Sequence, residues 1–173
     1  PSGYTRSAID LLRSMAEDLG YPFETTRKGC GIITVEGRDN SKTVAMSAHV
    51  DTLGAMVRSI TGDGQLMFTP VGGPILPTLD GEYCKIYTRS GRVYTRDGRE
   101  YTGTILSLSP SVHVFPDSTD RARDTENMAV RIDETVRSEE DVKALGIQPG
   151  DYIFFDPKTV VTPSGFLKSR FID

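Results

Sequence analysis

The chain has 173 residues, of which 37% are hydrophobic and 25% charged, the composition of one ordinary globular domain or two small ones. Its 20 basic and 24 acidic residues give a net charge of -4, which excludes a basic nucleic-acid binder, and no apolar run reaches the roughly 20 residues that span a bilayer. Two cysteines, Cys30 and Cys84, exclude a disulfide-stapled secreted module, so a reduced, cytoplasmic setting is the default.

In chain order, Pro1-Ser2-Gly3-Tyr4-Thr5 is a turn-rich lead-in. Ile9, Leu12, Ala16 and Leu19 then recur at spacings of three and four, which predicts a helix stopped by Gly20-Tyr21-Pro22. Two strands are predicted next, over 31–36 and 43–50. The second carries so little charge that it reads as covered on both faces. A helix followed by such strands is how an α/β layer begins.

From about Ala55 to Leu108 the pattern changes to short strands separated by glycine turns. Strands are predicted over 55–60, 65–70, 82–88, 92–95 and 102–108. The turns fall at Thr61-Gly62-Asp63-Gly64, Val71-Gly72-Gly73-Pro74, Ser90-Gly91 and Asp97-Gly98. This spacing, without a long helix, predicts a small all-β barrel or sandwich. A polar loop over 116–127 follows, then a strand over 128–132. Ser138-Glu139-Glu140-Asp141 caps a short helix that ends at Leu145-Gly146, and a last strand covers 152–155.

Candidate chemistry is sparse, because there are only two histidines, His49 and His113. His49 stands in Ala48-His49-Val50-Asp51-Thr52-Leu53-Gly54 at the end of an apolar strand. Residues two apart on a strand share a face, so His49 and Asp51 project together, as a metal ligand with its supporting carboxylate or as an ordinary neighbouring pair. His113, in a proline-bracketed segment, reads as a partly buried structural histidine. Neither cysteine has a histidine beside it in sequence, so a thiol nucleophile lacks local support, and Cys84 reads as buried on a strand. No Gly-x-Ser-x-Gly elbow or phosphate-binding loop occurs. The chain opens at Pro1 and stops at Asp173 without a tail-like composition, which suggests a segment of a longer polypeptide.

Taken together, these segments resemble the M42 family of metallo-aminopeptidases. Pro1-Ser2-Gly3, Ala48-His49-Val50-Asp51 with Gly54, Val71-Gly72-Gly73, Gly103-Thr104-Ile105, Val130-Arg131-Ile132-Asp133, Leu145-Gly146-Ile147 and Gly150-Asp151 occur in the family's order along nearly the whole chain. The resemblance implies a split α/β catalytic domain, residues 1–62 and 163–173, with an inserted β-barrel dimerisation domain over 63–162. It implies that His49 binds one of two divalent ions, zinc or cobalt, and that Asp51 supports the site without bridging the metals. Asp173 matches the aspartate whose carboxylate bridges both ions. His113 receives no role.

The implied activity is removal of N-terminal residues from peptides by a water activated between two metals. The implied assembly is a homo-oligomer built from dimers to a dodecamer. In the family, the general-base glutamate and the remaining ligands lie downstream of the matched stretch, so these 173 residues alone are expected to be inactive. Thr52 stands where many relatives carry glutamate. Two other readings stand beside this one: a non-catalytic oligomerisation or peptide-binding module built on the β insert, and a carbohydrate hydrolase of cellulase type. The second needs two carboxylates flanking a sugar site, and no such pair stands out here.

Overall fold

The structure is a computed structural model that describes residues 1–88 and 99–171. The strand expected over 92–95 and the turns at Ser90-Gly91 and Asp97-Gly98 lie outside the described residues. The chain divides into two compact units, Gly3–Asp51 and a larger one comprising Pro1–Ser2 with Thr52–Asp173.

In the small unit, α1 (Arg6–Asp18) forms where the three-four apolar spacing predicts it, and Gly20 stops it at φ +81. The hairpin of β1 (Phe23–Thr25) and β2 (Gly31–Ile33) pairs Phe23 with Ile33. Its register depends on Gly31, where a Cβ would come within 2.3 Å of the Phe23 ring. Arg13 fastens helix to hairpin, donating to Thr25 Oγ1 at 2.6 Å with its guanidinium 4.9 Å from the Phe23 ring centroid. The strand expected over 43–50 is absent, and the segment has no regular secondary structure. A strand covered on both faces needs partners on both edges, and among the described residues of this unit the only ladder is β1 with β2. Val44 and Met46 are accordingly 88% and 97% exposed.

The larger unit is a closed six-stranded barrel in the order β3-β4-β7-β6-β5-β8. Its strands are β3 (Gly54–Ile60), β4 (Leu66–Val71), β5 (Tyr83–Tyr87), β6 (Glu100–Ser107), β7 (Met128–Ile132) and β8 (Tyr152–Phe155). Every ladder is antiparallel, and β8 closes the ring by pairing Ile153 with Ala55 on one side and with Ile86 on the other. The barrel thus begins at β3, upstream of residue 63.

Period-two alternation fills the interior. Val57, Leu66, Phe68, Cys84, Ile86, Ile105, Val130 and Ile153 are at most 2% exposed, each fully buried large side chain contributing about 1.5–3 kcal/mol. Gly103 lets β6 and β7 come close, since a Cβ there would sit 2.8 Å from the Arg131 carbonyl oxygen. A short 3-10 helix (Leu76–Leu79) and α2 (Glu139–Ala144) supply Leu79 and Val142 as buried plugs. Ser138 caps α2 by accepting from the Asp141 amide at 3.1 Å. The Asp141 carboxylate in turn accepts from the Arg137 amide, which holds its pKa below the usual range. Beyond β8, β9 (Val160–Val161) and β10 (Leu167–Lys168) form a small separate hairpin.

Cys84 is 1% exposed, and burial, aided by the nearby Asp133 charge, pushes its thiol up to about 12. Cys30 is exposed. Two outcomes follow. Cys30 should react with a disulfide reagent at pH 8 in the folded protein and Cys84 only in denaturant, read by peptide mapping; fast reaction of Cys84 before denaturation would contradict its burial. Ile153→Ala should cost about 2–5 kcal/mol in urea unfolding, whereas Val160→Ala, at a position 45% exposed, should stay within about 0.5 kcal/mol.

Candidate metal centre

His49 lies in the irregular stretch after β2, and its side chain is 61% exposed. Its Nδ1 stands 3.1 Å from Asp51 Oδ1 and 3.1 Å from the Asp51 carbonyl oxygen. Both partners are acceptors, so Nδ1 carries a proton toward Asp51. The two side chains meet as expected, though through this local hydrogen bond and not through the shared face of a strand. A carboxylate that accepts from one ring nitrogen orients the imidazole and raises the basicity of the other. This is the arrangement in which histidine serves as a metal ligand through Nε2.

As a test of fit, the donor type suits a divalent zinc or cobalt ion. The donor number is smaller than a closed site requires: among the described residues, no group of three or more His, Cys, Asp and Glu side chains gathers where an ion could sit. The pair is therefore suited to one corner of a metal site. Asp173 lies outside the described residues. His113 is exposed, contrary to the partly buried position expected, because its segment is a surface turn in which its amide donates to Ser111 Oγ at 3.3 Å.

Neither thiol replaces the missing donors. Cys84 is held protonated inside the barrel and Cys30 is a solvent-exposed turn residue. The barrel carries a groove of about 740 Å³ lined by Asp63, Thr104, Arg131, Asp133 and Glu134 among others, with neither histidine nor cysteine in its wall. Asp63 there is an ionised turn carboxylate, its pKa lowered by hydrogen bonds from Thr61 and Gln65.

Sequence reasoning missed one charged cluster entirely. Glu82, only 8% exposed at the mouth of β5, receives a hydrogen bond on Oε1 from Arg170 Nη1, and Lys158 Nζ lies 2.8 Å from its Oε2. Arg170 stands 88 positions away in sequence, so no local pattern announces the contact.

Comparison with known proteins shows the family. A family model described as M42 glutamyl aminopeptidase matches residues 29–173. A Bacillus subtilis (strain 168) protein, YhfE, which carries a provisional aminopeptidase name, is 43% identical over 175 residues, covering 100% of this chain and 48% of that protein. A TET aminopeptidase from a marine-sediment archaeon of the Thaumarchaeota superposes with a TM-score of 0.74 at 25% identity, over 95% of this chain and 43% of its own. An endoglucanase from Thermotoga maritima gives 0.63 at 26% identity, over 91% and 42%. The TET1 peptidase of Pyrococcus horikoshii, described as able to assemble into a tetrahedron or a large octahedral shell, shares the fold at 0.73 and 22% identity, over 99% and 47%. The chain spans about half the length of the curated relatives it matches. With the family model covering the His49–Asp51 pair and the entire barrel, the chain belongs to the M42 glutamyl aminopeptidase family.

Proposed function

We propose that the protein is a metal-dependent aminopeptidase that removes N-terminal residues from peptides. The observation that carries this reading is the His49–Asp51 hydrogen bond, which leaves Nε2 as the coordinating nitrogen within the region matched by the family model. In this reading His49 would hold one divalent ion, Asp51 would fix the ring that holds it, and Asp173 would supply a further carboxylate ligand. A pair of zinc or cobalt ions, when bound, polarises the scissile carbonyl and lowers the pKa of a shared water.

The protein's own contribution here is orientation. The Asp51 carboxylate accepts from Nδ1 and so fixes the ring, with Nε2 the nitrogen that would ligate an ion. Residues 1–53, upstream of the barrel, and 163–173 are proposed as parts of a split α/β catalytic domain. The exposure of Val44 and Met46 supports this, because such apolar side chains suit a strand awaiting a sheet. The barrel is proposed as the part through which copies assemble as dimers and, by likeness of fold to the TET1 peptidase, as larger shells. The free cysteines Cys30 and Cys84 suit a reducing, cytoplasmic setting.

The name of the Thermotoga neighbour supplies a second reading, an endoglucanase, which the aminopeptidase relatives do not favour. One experiment separates the two. Full-length protein is stripped with chelator, then assayed with aminoacyl-anilides and with cello-oligosaccharides before and after zinc or cobalt is restored. The proposal expects anilide hydrolysis that vanishes on stripping and returns with metal, and no cleavage of the sugar. It expects His49→Ala to remove nearly all activity and Asp51→Asn to lower it about 10–100-fold. Metal-independent cleavage of the sugar, with the anilides untouched, would replace the proposal with the second reading.

A further inference from the structure

The groove on the outside of the barrel lies within the larger unit and takes no part in the metal-binding reading. Its floor comes from period-two alternation. Thr104 stands opposite Arg131 and Leu106 opposite Ala129 in the β6–β7 ladder, so these four side chains share the outer face. Thr104 and Leu106 are only half-buried there. The volume of about 740 Å³ suits a small molecule or a few residues of a peptide.

The two ends of the groove differ in chemistry. One end is apolar, where Leu106 and Leu108 meet Phe115 in the lining. The other end is acidic. The Asp133 amide donates to the Thr102 carbonyl at 3.0 Å, which sets Asp133 past Arg131, beside the start of β6. Asp63 belongs to the same end, because its neighbour Gly64 packs under the segment after β7, where a Cβ would meet Val136 at 3.3 Å. The seam between β4 and β7 leaves this end open: among the described residues its ladder has one pair, Leu66 with Val130, against five between β6 and β7.

Charge at the acidic end is unbalanced. Asp63, Asp133 and Glu134 line it with a single cation, Arg131. The Asp63 carboxylate accepts from Thr61 and Gln65 in its own turn. Among the described residues, the Asp133 and Glu134 carboxylates have neither an ion pair nor a hydrogen bond. An apolar floor that ends in unmatched carboxylates is complementary to a ligand bringing one apolar and one cationic side chain. The spacing follows from the ladder. From Leu106 back to Thr102, beside Asp133, is four strand residues, roughly 13 Å.

We propose that this groove binds an extended peptide segment that carries an apolar side chain and, four positions away, a lysine or arginine. Residues four apart in an extended chain share a face and cover the same span. The apolar side chain sits on Leu106 and Phe115, and the cation meets Asp133 and Glu134. This binding is additional to peptide hydrolysis and stands whether or not His49 holds an ion.

Full-length protein stripped of metal is titrated with heptapeptides, read by fluorescence anisotropy. Each is blocked at the N-terminus by a fluorophore and amidated at the C-terminus, so that no free α-amine is offered to an aminopeptidase. The probe has leucine at its second and lysine at its sixth position, with serine and glycine elsewhere. Glutamate in place of the lysine, or lysine moved by one position, should weaken binding about tenfold or more. The Asp133→Asn, Glu134→Gln double variant should weaken the lysine probe about tenfold and, both residues being exposed, leave the melting temperature unchanged. Equal binding of the lysine and glutamate probes, no binding of either, or wild-type affinity in the double variant would overturn the proposal. So would a Leu106→Asp variant of smaller mass than wild type by light scattering, which would assign the groove to a second copy of the chain.

Discussion

Closure of the barrel by β8 is the constraint on which the larger unit depends. Pairing Ile153 with both Ala55 and Ile86 leaves no strand of the ring with an open edge, and an open edge is what makes small sheets slip or associate. The same pairing puts Phe155 at the barrel's end, against Phe171. The ring also holds the buried Glu82 carboxylate, whose amide and carbonyl are bonded to Leu79 and Ile105, where Arg170 and Lys158 meet it. The order of dependence runs from strand pairing, through core packing, to the ion pairs of Glu82.

The small unit works on a different principle. Its helix and hairpin are joined by few contacts, chiefly Arg13 with Phe23 and Thr25, and the segment carrying His49 has no ladder at all. Even so, the His49–Asp51 hydrogen bond forms, because residues two apart can meet in extended backbone with or without a neighbouring strand. The tautomer suited to metal binding is therefore a local property of the sequence, whereas a completed site requires donors that sequence proximity cannot bring.

This difference explains what could be read in advance. The helix over 6–18 was legible because Ile9, Leu12 and Ala16 repeat at its period and Gly20 ends it. The barrel strands were legible because Leu66, Phe68, Cys84, Ile86 and Ile105 alternate with exposed or half-buried positions. The run 43–50 has the composition of a buried strand, but composition describes what a segment could pair with, and among the described residues no ladder includes it. His113 was misjudged for a related reason: prolines at 110 and 116 announce a constrained segment without indicating which side of it meets water. The Glu82–Arg170 pair was illegible altogether, since 88 residues separate its members and each looks like any surface charge. His49 and Asp51 were found by spacing, yet their chemistry became specific only through the family resemblance.

The most direct test of the account is the anomalous diffraction of zinc in crystals of the full-length protein. Two peaks are expected about 3.5–4 Å apart, one of them about 2.0–2.1 Å from Nε2 of His49, with Asp51 still bonded to Nδ1 and the Asp173 carboxylate between the ions. An absence of metal beside His49, or a metal bound through Nδ1 with Asp51 displaced, would contradict it.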